Sequence, residues 1–103
     1  MIHVLNKRHE NAYACEIVYV GRPSVLGNPF TVKEHGHGNA IKLYRKWLWG
    51  QMQFVNPQYR EIMRLAKLYE KEQELALVCW CAPRPCHGAV IAKAIQYVVY
   101  SGV

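Results

Sequence analysis

Two segments carry most of the residues that can do chemistry. The first, GRPSVLGNPF at residues 21–30, contains two glycines, two prolines and an asparagine, a density of turn-forming residues that predicts an ordered loop. Glycine lets the backbone approach a ligand closely, and arginine can form a bidentate pair with phosphate or carboxylate. We therefore predict ligand contacts from Gly21, Arg22, Gly27 and Asn28. The alternative is a rigid turn in which Arg22 forms an internal salt bridge.

The second segment, CWCAPRPCHG at residues 79–88, runs from a predicted strand into a predicted helix. Unpaired peptide N–H groups at the start of a helix attract anions, and a thiol placed there beside an arginine is expected to be partly thiolate at neutral pH. We predict ligand contacts from Cys81, Arg84 and Gly88. Cys86 and His87 are the candidate catalytic pair, with the thiol as nucleophile or ligand contact and the imidazole as acid or base.

Two other interpretations of the cysteine segment stay open. The segment contains the right residue types for a zinc site in Cys79, Cys81, Cys86 and His87. However, Cys-x-Cys is a tight spacing, and an adjacent Cys and His rarely coordinate the same ion. Alternatively, the first two cysteines are buried strand residues and Cys86-His87 merely begins the helix. We predict no metal and no cofactor. With no secretory signal predicted, free thiols are favoured over disulfides.

The hydrophobic pattern predicts the strands and helices that hold these loops. The predicted strands are 2–5, 13–20 and 75–80, and the predicted helices are 40–49, 57–69 and 86–100. The second strand is expected to be largely buried, and the glycines at 36, 38 and 50 are expected to bound the first helix. This order predicts a small α/β domain with a sheet of about three strands, at least partly parallel, packed by three helices. Both loops follow strands, so both are expected at the carboxyl edge of the sheet.

Composition restricts the class of protein. The chain has 103 residues, of which 51% are hydrophobic; this excludes a disordered chain and predicts one domain over residues 1–103. No apolar run is long enough to cross a bilayer and no apolar leader is present, so we predict a cytoplasmic protein without a membrane partner. Thirteen basic and seven acidic residues give a net charge of +6. This excess predicts weak, salt-sensitive and nonspecific binding to nucleic acid.

These motifs resemble a known family. The segments at 19–30 and 77–88, with KLYRKWL at 42–48, resemble the uncharacterised family called domain of unknown function 4326. The resemblance spans nearly the whole chain and implies a bacterial or bacteriophage source, with host cytoplasm as the location if phage-encoded. The second segment is also similar, more loosely, to the domain of unknown function 488. Neither family's activity is settled, so the resemblance implies a fold rather than a function.

Two hypotheses for function follow from the residues. In the first, both loops form one pocket for a small phosphate-bearing ligand, a nucleotide or modified nucleoside, with Arg22 and Cys86 within about 10 Å of each other; the protein is then a binding protein or a Cys/His-dependent enzyme. In the alternative, a non-catalytic phage or bacterial protein binds nucleic acid or a host factor through the basic helix at 40–49. The oligomeric state is left open.

Overall fold

The computed structural model describes residues 1–8, 15–80 and 87–101. Its elements in chain order are β1 (Ile2–Asn6), β2 (Glu16–Tyr19), α1 (Val32–His35), α2 (His37–Gln51), α3 (Pro57–Glu72), β3 (Leu75–Cys79) and α4 (His87–Ser101). The predicted order of strands and long helices is confirmed. The four-residue helix α1 was not predicted, and Trp80 lies beyond the strand in which it was predicted.

The three strands form one parallel sheet in the order β1-β3-β2. The predicted α/β class is therefore confirmed, and the sheet is parallel throughout. The central strand β3 is fully buried along its length, as its unbroken apolar sequence LALVC requires. The prediction that the second strand is largely buried is wrong, because β2 is an edge strand with one exposed and three half-buried residues.

The boundaries of the long helices follow from their capping residues. Gly36 has φ 77° and lies between α1 and α2, so the second of these helices begins at His37 rather than at Ala40. Gly50 lies inside α2 and does not end it. Asn56 accepts a hydrogen bond from the Tyr59 N–H at 2.8 Å, and Pro57 occupies the first turn of α3, where its missing N–H costs nothing.

The hydrophobic core lies between one face of the sheet and the helices. Side chains alternate along a strand, so Leu75, Leu77 and Cys79 share one face of β3, and all three belong to the main buried cluster. The apolar stripes of α2, α3 and α4 pack in the same cluster, which includes Leu48, Leu65 and Ile91 among others. Across the part of the chain that the structure describes, no helix has the length and apolarity needed to cross a membrane.

Candidate functional site

The carboxyl ends of β2 and β3 meet at one edge of the sheet, because the two strands are adjacent and parallel. The loop that follows β2 and the segments on either side of residues 81–86 therefore lie close together. Between them is a cavity of about 290 Å³. The described residues that line it are Tyr19, Gly21, Arg22, Asn28, Phe30, Val32, His37, Ala40, Ile41, Cys79, Trp80 and His87.

The loop at residues 21–30 is fixed by hydrogen bonds to the residues around it. The Tyr44 hydroxyl, fully buried in α2, donates to the Leu26 carbonyl at 2.7 Å. The Tyr19 hydroxyl donates to the Arg22 carbonyl at 2.7 Å. Two tight turns follow one another, with the Ser24 N–H donating to Gly21 O and the Gly27 N–H donating to Ser24 O, each at 2.9 Å. The loop is therefore ordered, as its turn-forming residues predicted.

Arg22 lies on the cavity wall with an exposed side chain. Its guanidinium forms no ion pair with any residue in the described ranges, so the internal salt bridge considered as an alternative is not found there. Gly27 does not line the cavity but lies under Arg22. A Cβ at Gly27 would come within 2.9 Å of the Arg22 Cγ and 3.0 Å of its Cα and N, so the glycine is needed for this close approach.

Asn28 lines the cavity, but its amide also connects the loop to α2. The side-chain Nδ2 donates to the Ala40 carbonyl at 3.4 Å, and Oδ1 accepts from the Phe30 N–H at 2.8 Å. The second contact is the Asx turn that favours asparagine at such positions. Asn28 therefore shapes the pocket wall by holding Phe30 beside the first turns of α2.

His87 is the first residue of α4 and is buried, with 6% of its surface exposed. Its Nε2 lies 2.7 Å from the Val20 carbonyl oxygen. A carbonyl only accepts hydrogen bonds, so Nε2 carries the proton and donates. The ring also packs edge-on against Tyr44, with centroids 5.1 Å apart. His87 thus joins the start of α4 to the end of β2, and this places the positive end of the α4 dipole near the cavity.

Aromatic side chains at the ends of the strands complete the cavity. Trp80, directly after β3, is 58% exposed, and its carbonyl accepts from the Asn6 Nδ2 at 3.0 Å. Tyr19 ends β2, and the Lys7 ammonium lies 5.7 Å from the centre of its ring. Neither aromatic residue was assigned to the site from the sequence. Their position at strand ends beside the two motifs was the available signal, because the carboxyl edge of a parallel sheet is where such folds bind ligands.

The carboxyl ends and the amino ends of the parallel strands differ in charge. None of the described cavity-lining residues is acidic, whereas Arg22 is cationic. At the opposite edge of the sheet, where β2 and β3 begin, the carboxylates of Glu16, Glu72 and Glu74 lie around a second cavity. The carboxyl edge therefore favours an anion, and the amino edge favours a cation.

Several predicted residues lie outside the described ranges: Cys81, Arg84 and Cys86. Gly88 is buried in the first turn of α4 and is not among the cavity-lining residues. Of the four residues considered as zinc ligands, Cys79 is buried and His87 has its Nε2 bound to Val20. That nitrogen is therefore not available to a metal in this arrangement.

The comparison with protein families agrees with the resemblance seen in the sequence. The model of the family described as domain of unknown function (DUF4326) matches residues 4–97. The chain belongs to the DUF4326 family. No curated protein and no solved structure matches it. In this DUF4326 protein the matched range includes β2, β3, most of α4 and all of β1 except its first two residues.

Proposed function

We propose that this DUF4326 protein binds a small phosphate-bearing ligand, a nucleotide or modified nucleoside, in the cavity at the carboxyl edge of its sheet. The observation that carries the proposal is the position of Arg22. Arg22 lines a cavity with no acidic residue among its described lining, and its guanidinium forms no ion pair with a described residue. Arginine placed in this way presents a fork of donors suited to phosphate.

The shape and lining of the cavity support a ligand that also contains a ring. Its volume of about 290 Å³ is near the lower limit of small-molecule sites, roughly 300 Å³. That size favours a mononucleotide over a dinucleotide. Tyr19, Phe30 and Trp80 offer aromatic faces on which a base can stack. The start of α4 adds a partial positive charge on the side formed by His87.

Catalysis by the Cys86–His87 pair stays a prediction. The hydrogen bond from His87 Nε2 to the Val20 carbonyl assigns that nitrogen to holding α4 against β2. Binding does not depend on catalysis, so the proposed function is binding of the ligand alone.

The binding proposal is tested with nucleoside 5′-monophosphates, the matching nucleosides and inorganic phosphate as probes. A monophosphate that binds the folded chain raises Tm by mass action, and titration calorimetry gives the affinity. We expect Arg22→Gln to weaken binding about 10- to 100-fold, the loss of one charge-assisted contact worth about 1.5–3 kcal/mol. Arg60→Gln is the matched control, because Arg60 is exposed on α3 and does not line the cavity. Equal effects of the two substitutions would contradict the proposal.

A second candidate function rests on the exposed cations of α2. Lys42, Arg45 and Lys46 are all exposed and follow a three- and four-residue spacing, which places them on one side of the helix. No acidic residue lies in α2. This side suits a nucleic acid or an acidic protein surface. Reversing these three charges to glutamate would abolish such docking and leave monophosphate binding unchanged, whereas Arg22→Gln would do the opposite.

A further inference from the structure

We propose a divalent metal site, with zinc as the favoured ion, at the amino edge of the sheet and formed by His3, Cys15 and Glu74. One candidate ligand atom from each residue lies within 4.8 Å of the other two. Imidazole nitrogen, thiolate sulfur and carboxylate oxygen are the three ligand types that zinc uses in proteins. This site is distinct from the cysteine segment at residues 79–88 and lies at the other edge of the sheet from the proposed phosphate pocket.

The separation of two of these atoms already matches a metal site. His3 Nε2 and Glu74 Oε2 are 3.3 Å apart. Two zinc bonds of about 2.1 Å at a tetrahedral angle place a nitrogen and an oxygen roughly 3.4 Å apart. A zinc–sulfur bond of about 2.3 Å requires the sulfur to lie roughly 3.6 Å from each of them. The ligand atoms lie within 4.8 Å of one another, so the Cys15 sulfur needs to approach by at most about 1.2 Å, which a side-chain adjustment provides.

The sheet itself positions the three residues. Glu16 of β2 is paired with Leu75 of β3, so the preceding residues Cys15 and Glu74 stand side by side where these strands begin. His3 is paired with Ala76, which lies two residues after Glu74 and thus on the same face of the sheet. Three separate segments of chain supply the ligands, and the parallel hydrogen-bond ladder fixes their backbones relative to one another.

The surroundings favour a cation with an open coordination position. The His3 side chain is 15% exposed and that of Glu74 is 49% exposed, so these ligands are partly buried at the protein surface and remain accessible to solvent. Beside it is a cavity of about 380 Å³ lined by Cys15, Glu16, Glu72 and Glu74. The two further carboxylates add negative charge, and the space admits a water as fourth ligand. Binding releases the thiol proton of Cys15 to solvent.

The test is a titration of the full chain, freed of metal with a chelator, with Co²⁺ as a spectroscopic substitute for Zn²⁺. We expect one Co²⁺ per chain with a thiolate-to-cobalt charge-transfer absorption. Cys15→Ser should abolish this absorption, and His3→Gln or Glu74→Gln should weaken binding by at least about tenfold. Glu72→Gln, in the same acidic cavity but outside the three ligands, is the matched control and should change the affinity less than twofold.

A second pair of variants separates this site from the other cysteines. Cys86→Ser should keep the charge-transfer absorption that Cys15→Ser loses. Zn²⁺ should also raise the Tm of the unaltered chain, and the same Zn²⁺ concentration should raise the Tm of His3→Gln by less. This readout remains if Cys15→Ser does not fold. No cobalt absorption in the unaltered chain would overturn the proposal, as would an absorption that survives in Cys15→Ser and disappears in Cys86→Ser.

Discussion

The hydroxyl of Tyr44 is the contact that most directly holds the arginine loop in place, so we expect its removal to destabilise both the fold and the pocket. The side chain is fully buried, and its hydroxyl donates to the Leu26 carbonyl at 2.7 Å. Tyr44→Phe keeps the ring and its edge-on contact with His87 but removes the donor. The Leu26 carbonyl is then left buried without this partner.

The size of the effect follows from that burial. A buried polar group that loses its partner costs about 1–3 kcal/mol. For a domain of roughly 100 residues, 1 kcal/mol lowers Tm by about 4–8 °C. The expected loss for Tyr44→Phe is therefore about 2 kcal/mol, or a fall in Tm of roughly 10 °C. The midpoint of urea unfolding should move by the same free energy with an unchanged slope.

Tyr97→Phe is the matched control, because Tyr97 is 52% exposed and an exposed hydroxyl loses little on removal. Its effect should stay within about 0.5 kcal/mol. Amide hydrogen exchange adds a local readout: in Tyr44→Phe the N–H of Gly27, which donates to Ser24 O in the same loop, should exchange faster. Equal stability of the two variants would refute the argument that Tyr44 anchors the loop.

Two further predictions concern Gly27 and Cys15. Gly27→Ala should destabilise the fold by about 1–3 kcal/mol, because the new Cβ overpacks against Arg22, and it should weaken nucleoside monophosphate binding. Gly50→Ala is the control: a Cβ there meets nothing within 4 Å, so the thermal stability should be equal or higher. Unchanged stability of Gly27→Ala would contradict the close approach of Gly27 to Arg22. Burial, followed by the negative charge of Glu74, raises the pKa of the Cys15 thiol. In metal-free protein, alkylation of Cys15 should therefore accelerate only at pH above the ordinary thiol range, and peptide mass spectrometry measures this rate. Glu74→Gln removes the negative charge, so the pH at which alkylation accelerates should fall. A rise in that pH would refute the role of Glu74 in raising the thiol pKa.

Local sequence patterns were sufficient to predict the three strands and the three long helices, but not the short helix α1. The apolar stripe of α3 and the proline at its first turn are properties of adjacent residues, as is the run LALVC that becomes the buried central strand. The dense turn residues after β2 likewise predicted an ordered loop. Such features depend on interactions within a few residues, so they can be derived without knowledge of the remaining chain.

Strand order and burial were decided by tertiary structure. The order β1-β3-β2 places β2 at an edge, which left it half-buried although its composition suggested otherwise. In the folded chain Gly27 packs under Arg22 and does not line the cavity. His87 Nε2 donates to the Val20 carbonyl, 67 residues away along the chain.

The same reason explains why the cluster at the amino edge was not found from the sequence. His3, Cys15 and Glu74 have no motif spacing, and only the parallel register of three strands brings their ligand atoms together. Periodicity fixes which face of its own element a residue occupies, but it does not state which strand lies next to which. Sites built from one segment are therefore visible in the sequence, whereas sites that join several strands depend on the pairing of the sheet.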